Sequence, residues 1–250
     1  MKKIEIVKPT IKDLDTVVQI EKSAWPDIGE GMVAEYEKFE NRLKLGLMYL
    51  LYFENQPAGI ISFQKPSFTN SEVLHEIVKE YESDHSEIKS NNCWSEDLLE
   101  WDKLVAKYEL PKNWYEATNN GYIINGSNST HDPNSDCLFL IGVGVNQSLK
   151  GKGLVNHLIN HTVLEAKKEC LKAIVGYGRL PQFHEKITHG GILAAQNHLL
   201  EKKQGTDLPA DYGARFHVFN GAKAVSVIPE AMKDPESINY GFLAIYDLQT

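Results

Sequence analysis

The stretch Val143-Gly144-Val145-Asn146-Gln147-Ser148-Leu149-Lys150-Gly151-Lys152-Gly153-Leu154-Val155 runs from β-forming residues through a polar, glycine-bearing loop into a helix. Upstream, CLFLIGVGV at 137–145 is a strongly apolar strand, and 154–170 carries the periodicity of a helix. A loop of this kind leaves backbone N–H groups unpaired at the helix start. With the positive end of the helix dipole they attract a phosphate. Glycine lets the backbone come close to such an anion, and Lys150 and Lys152 add positive charge. Two familiar phosphate motifs are excluded. A P-loop requires Lys-Ser or Lys-Thr after its second glycine, and none follows here. A dinucleotide fingerprint would begin at Gly142-Val143-Gly144, but its last glycine position holds Gln147.

Outward from this loop the chain reads as alternating strands and helices. Residues 3–8 alternate as a first strand. Thr10 caps a helix over 11–23, with Leu14, Val17, Val18 and Ile20 as its apolar stripe, and Trp25-Pro26 ends it. A second helix spans 34–45 and stops at Gly46. Residues 48–53 and 58–63, joined by the turn Glu54-Asn55-Gln56-Pro57, form an antiparallel hairpin. From 64 to 136 the pattern weakens into an acidic and then aromatic segment containing Trp94, Trp101, Tyr108, Trp114, Tyr115 and Tyr122. It reads as a partly helical insertion whose aromatics either pack against the core or line a substrate pocket. After the helix at 154–170, residues 173–177 form a strand, and a second variable stretch precedes a short helix at 215–220. Residues 222–228 and 240–248 close the chain as strands. The expectation is a single domain over 1–250 with an insertion at 64–136.

The chain has 250 residues and a formal net charge of -8, which argues against a general nucleic-acid binder. Cys93, Cys137 and Cys170 form no paired motif, so neither a disulfide framework nor a zinc knuckle is indicated. The amino terminus has no apolar run of a signal peptide, and no segment suffices to span a bilayer. A cytoplasmic location without membrane association is therefore expected. His157 and His161 stand four apart on one helix, but no third ligand lies nearby in sequence, and no metal site is expected.

The loop resembles motif A of the GNAT (GCN5-related N-acetyltransferase) superfamily, whose pyrophosphate loop reads Arg/Gln-x-x-Gly-x-Gly/Ala between a long strand and a helix. Here Lys150 stands where Arg or Gln is usual, and Val155 where Gly or Ala is usual. The order of elements over 1–63 and 137–248 is similar to the family's, and Phe216-His217-Val218-Phe219-Asn220-Gly221 resembles its Tyr-x-x-x-Gly-Phe segment. The resemblance implies an α/β (α+β) fold with a mixed, mostly antiparallel sheet flanked by helices. The long insertion would lie between strands 3 and 4. It implies acyl transfer, by direct attack of a small-molecule amine or peptide on acetyl-CoA as co-substrate. Coenzyme A would be held by the backbone of Val143 and Val145 and by Lys150, Gly151, Lys152, Gly153, Leu154 and Val155.

The resemblance also places His217 where the family often carries a tyrosine that protonates the leaving thiolate. A histidine there acts as acid or base, or simply hydrogen-bonds a strand end. No general base stands out, Asp211 and Glu30 being weak candidates. Cys137 reads as structural, and Arg179 as a partner for a carboxylate or for the insertion. A catalytically silent coenzyme A or ligand-binding module, and transfer of a longer acyl chain or to an oxygen nucleophile, remain open. The oligomeric state, a homodimer included, is likewise open.

Overall fold

The computed structural model describes residues 3–25, 35–86, 98–187 and 190–249. The chain divides into two compact units, Met1–Ser67 with Thr118–Leu171, and Phe68–Ala117 with Lys172–Thr250. The expected insertion is shared between them: only its central part, Phe68–Ala117, belongs to the second unit. The fold is α/β, with strands mostly antiparallel and flanked by helices. None of its described helices is long and apolar enough to cross a membrane.

In the first unit β1 (Ile4–Val7), β2 (Met48–Phe53), β3 (Gln56–Gln64) and the long strand at Cys137–Val145 pair in that order, all antiparallel. A two-stranded hairpin, β4 (Ile124–Asn125) with β5 (Asn128–Ser129), precedes that long strand, which is therefore β6. The β2–β3 turn is tighter than the sequence suggests. Glu54 and Asn55 alone make it, at φ of 52° and 64°, and Gln56 and Pro57 already pair in the strand. Thr10 caps as expected, through a reciprocal capping box with Asp13. Helix α1 (Leu14–Ala24) then buries Val17, Val18 and Ile20 against Phe39 and Leu43 of α2 (Tyr36–Lys44) and against Leu50 and Ile60 of the strands.

Another helix of this unit, Leu154–Lys168, lies on the opposite sheet face from α1. A methyl group placed on Gly59 would fall 3.3 Å from Leu158 of that helix, whereas one on Gly144 would fall 2.8 Å from Ala24 of α1. Gly59 pairs with Val145 and Gly144 is the next residue of the same strand, so the two point to opposite faces.

The second unit carries α3 (Ser71–Ser86), α4 (Trp101–Tyr108) and α5 (Trp114–Thr118), the last of which ends in the first unit. The helix at Leu154–Lys168 is accordingly α6. Strands β7 (Ala173–Arg179), β9 (Gly241–Asp247) and β8 (Ala222–Ile228) pair antiparallel in that order. The second variable stretch contains a helix that its sequence did not announce, α7 (Ile192–Leu200). Helix α8 (Tyr212–Phe219) starts earlier than expected because Asp211 caps it through Gly213 and Ala214.

Among the insertion aromatics of this unit, Trp101 and Trp114 are buried as packing residues. Trp101 meets Tyr177 of β7 edge to face at 5.4 Å, and its Nε1 donates to the Lys112 carbonyl. The Tyr177 hydroxyl donates to the Pro111 carbonyl. Trp94 lies outside the described residues. Replacing Trp101 with Phe removes one buried hydrogen bond and part of the ring. Urea denaturation is expected to register a loss of about 1–2 kcal/mol.

Candidate functional site

Strand β6 delivers the chain to the loop of the first unit. Asn146 N–H donates to the Ala58 carbonyl, so by the two-residue period of an antiparallel ladder Gly144 and Gly142 also face β3. The backbone groups of Val143 and Val145 therefore point away from β3, and both residues are half-buried. The ladder with β3 shifts register between Ser62 and Phe63, which leaves Ile141 as the extra residue of a bulge.

After a short 3-10 turn at Gln147–Leu149, whose start is capped by the Asn146 side chain, the chain turns twice through left-handed glycines. Gly151 has φ 84° and Gly153 φ 73°, conformations that cost any other residue strain. Gly153 is the N-cap of α6 and offers no side-chain cap. Among the described residues no acceptor faces the N–H groups of Gly151, Gly153, Leu154 and Val155. Four such amides at the positive end of a helix suit a negatively charged group. Lys150 is exposed beside it, and the Lys152 ammonium lies over the Phe53 ring at 5.3 Å. Leu154 is buried and anchors the helix start, while Val155 is half-buried.

One titratable group of this unit was not legible from its own stretch of sequence. Glu21, in the last turn of α1, lies against Gly144: a methyl there would come within 3.3 Å of Glu21 Oε2 and 3.1 Å of Trp25 Nε1. The missing side chain on β6 is what lets the carboxylate sit over the strand backbone. Burial pushes the Glu21 carboxyl up to about 7, against the opposing pull of the Arg42 guanidinium and a hydrogen bond from the Trp25 side chain. Arg42 is itself 4% exposed, donating to Ser62 Oγ at 3.3 Å and to the Gly121 carbonyl at 2.6 Å. Its burial lowers it to about 10, so it stays charged at neutral pH. Glu21 is thus poised to exchange a proton near pH 7. No local signal marks it, since its environment is made by a glycine on a strand far along the chain.

The second unit holds the remaining sequence candidates. His217 lies among the rings of Phe216, Phe242 and Tyr246, and burial lowers it to about 4, so the imidazole is neutral at pH 7. Its Nδ1 is 2.9 Å from the Tyr246 hydroxyl, which burial holds in its protonated form. Asp211 is not free to act as a base: its two oxygens accept from Gln182, Gly213 and Ala214 N–H groups and meet His198 Nε2. Arg179 finds its carboxylate in Asp234, with two contacts of 2.7 Å, and reaches Glu236 as well.

Glu30 lies outside the described residues. In the first unit Cys137 is buried and its thiol is pushed up to about 11, which suits packing and not attack. His161 of α6 packs edge to face on Tyr49 at 4.6 Å, and the described residues contain no group of three metal-ligating side chains.

No protein-family profile matches the chain. Over 143 residues it is 26% identical to YkwB of Bacillus subtilis (strain 168), an uncharacterized N-acetyltransferase. That stretch covers 56% of this chain and 59% of the relative. The loading GNATL domain of CurA from Lyngbya majuscula superposes with a TM-score of 0.66 at 18% identity, over 99% of this chain and 98% of that one. The GphF GNAT-like decarboxylase in complex with isobutyryl-CoA superposes with a TM-score of 0.61 at 16% identity, over 98% and 99% of the two chains. At such identities the structural likeness is one of fold. The fold of this chain is the one these GNAT-like structures have.

Proposed function

We propose that this protein transfers an acyl group, acetyl in the simplest case, from a coenzyme A thioester to the amine of a small molecule or peptide. The observation that carries the reading is the set of four unengaged amides at Gly151, Gly153, Leu154 and Val155, joined by Lys150 and Lys152. They fit a pyrophosphate. The backbone groups of Val143 and Val145 fit a pantetheine arm laid along β6 as an added strand. Acetyl-CoA, as co-substrate, would supply an activated carbonyl and a thiolate leaving group.

Glu21 is the residue we assign as general base: its carboxylate accepts a proton from the acceptor ammonium and so frees the nitrogen lone pair. His217, neutral at pH 7, enters the reading as a hydrogen-bond donor to the departing thiolate that keeps its own proton, the thiolate taking its proton from water. Where the Tyr246 hydroxyl donates to Nδ1, the donor hydrogen of the ring stands on Nε2. In this reading the chain works as one domain, and 64–136 is an insertion within it. The GphF structure holds isobutyryl-CoA, which favours testing a branched acyl chain beside acetyl.

Calorimetric titration with acetyl-CoA, isobutyryl-CoA and free coenzyme A tests the proposal. Saturable binding of at least one thioester is expected, followed by amine-dependent thiol release. Binding without turnover on any amine would leave a silent ligand-binding module, and no binding at all would overturn the reading.

A further inference from the structure

Within the first unit, a cavity of about 240 Å³ lies at the carboxyl end of α6. The helix has 15 residues, about 22 Å of rise, so this cavity and the glycine loop stand at its opposite ends. The polar lining is Lys8, Tyr49, Lys65, His131, Thr162 and Glu169. Apart from Gly46 the other lining residues are apolar, Leu47 and Phe63 among them.

Most of these polar groups are donors with protons to spare. The Lys8 and Lys65 ammonium groups approach the two oxygens of Glu169 at 3.9 and 3.8 Å, ion pairs too long for hydrogen bonds. Lys8 makes no side-chain hydrogen bond among the described residues, and Lys65 makes one long one, at 3.4 Å to the Pro133 carbonyl. The Tyr49 ring packs against Phe63 and His161 at 5.3 and 4.6 Å, and the residue is 3% exposed. Its hydroxyl keeps accessible surface and bonds no described residue, and burial holds it in its protonated form.

His131 Nδ1 accepts from the Lys65 N–H at 3.2 Å. Burial, and then the Lys65 charge, lowers the ring below its ordinary value, so it is neutral at pH 7 with its proton on Nε2. Nε2 also keeps accessible surface and bonds no described residue. Thr162 differs: its hydroxyl is spent on the Leu158 carbonyl at 3.0 Å.

Two cations against one carboxylate leave the lining with a net positive charge. Glu165, which also faces Tyr49, is paired with Lys168 at 2.6 Å. The carboxyl end of α6 opposes an anion only weakly, because the N–H groups of Glu169, Cys170 and Leu171 take up its last carbonyls. The end of α2 is closed the same way by Gly46 and Leu47.

We propose that this cavity binds a small carboxylate, its oxygens received by Lys8, Lys65, the Tyr49 hydroxyl and Nε2 of His131, and its apolar body set against Leu47 and Phe63. The site is separate from the acyl-transfer reading and does not depend on it.

Benzoate and benzamide test it as a matched pair, alike in shape and different in charge. The full chain, labelled with 15N, is titrated with each at pH 7 and followed by NMR at the Lys65 amide and the His131 ring. Benzoate should bind saturably with a Kd no weaker than about 10 mM. Benzamide should bind at least about tenfold more weakly, the worth of a charge-assisted hydrogen bond. Lys65→Met should cost benzoate at least about fivefold in affinity, and Tyr49→Phe, which keeps the ring packing, about threefold or more. Glu169→Gln removes the competing carboxylate and should tighten binding instead. No saturable binding of benzoate, equal affinity for the two probes, indifference to Lys65→Met and Tyr49→Phe, or weaker binding in Glu169→Gln would each overturn the proposal.

Discussion

Glu21→Gln is expected to lower amine-dependent turnover by about 10²- to 10⁴-fold, the usual worth of a positioned general base, while acetyl-CoA affinity stays within about twofold. Glutamine keeps the shape and the hydrogen bond from Trp25 but takes no proton. Turnover of the native enzyme should rise with pH through a midpoint near 7, where the carboxyl loses its proton. Stability should move the other way. The folded-state value, about 7, lies above the ordinary 4.5, so the folded state holds the proton more tightly. That contribution is complete below the unfolded value and is lost as pH rises through 7. Urea titrations should therefore find Glu21→Gln more stable than the native chain at pH 8, by about 3 kcal/mol, and nearly equal to it at pH 4. Full turnover in the variant would remove Glu21 from the chemistry. A loss of acetyl-CoA affinity equal to the loss of turnover would make it a binding residue instead.

Gly153→Glu is expected to weaken acyl-CoA binding by at least about 100-fold, because it sets a carboxylate among the amides that the proposed function assigns to phosphate. The first side-chain atom meets nothing closer than the Asn156 amide nitrogen at 3.9 Å, so the loop has room for it. The left-handed backbone at φ 73° adds a stability cost of about 1–2 kcal/mol for any side chain. Gly153→Ala separates the two effects. It carries the strain without the charge and should lose only several-fold in affinity by calorimetry. Equal losses in the two variants would show that the loop's shape, and not its field, governs binding.

Much of the frame could be read directly from residue patterns. The apolar run at 137–145 is β6, and the glycine-bearing loop after it ends at the start of α6. Errors gathered where a polar residue does structural work at a distance. Asp211 looked like a spare carboxylate and is a buried cap. Gln56 and Pro57 looked like turn residues because of the proline, yet Glu54 and Asn55 adopt the positive φ that the turn needs. Helix α7 lay inside a stretch read as variable. Glu21 was invisible for a different reason. On α1 it is one more polar residue of an amphipathic helix, and its chemistry comes from Gly144 and Arg42, which only the folded sheet brings to it.

Helix α6 begins on a glycine and so forgoes the hydrogen bonds that a serine or aspartate cap would give it. A helix that keeps its first amides for a ligand starts with its least protected turn. Deuterium should enter the amides of Leu154 and Val155 sooner than those in the middle of the helix. An anion seated in the loop would serve as the absent cap, so its arrival should slow exchange there first. The affinity of the loop then sets how much the occupied helix gains in stability, an increment that grows with ligand concentration over its dissociation constant.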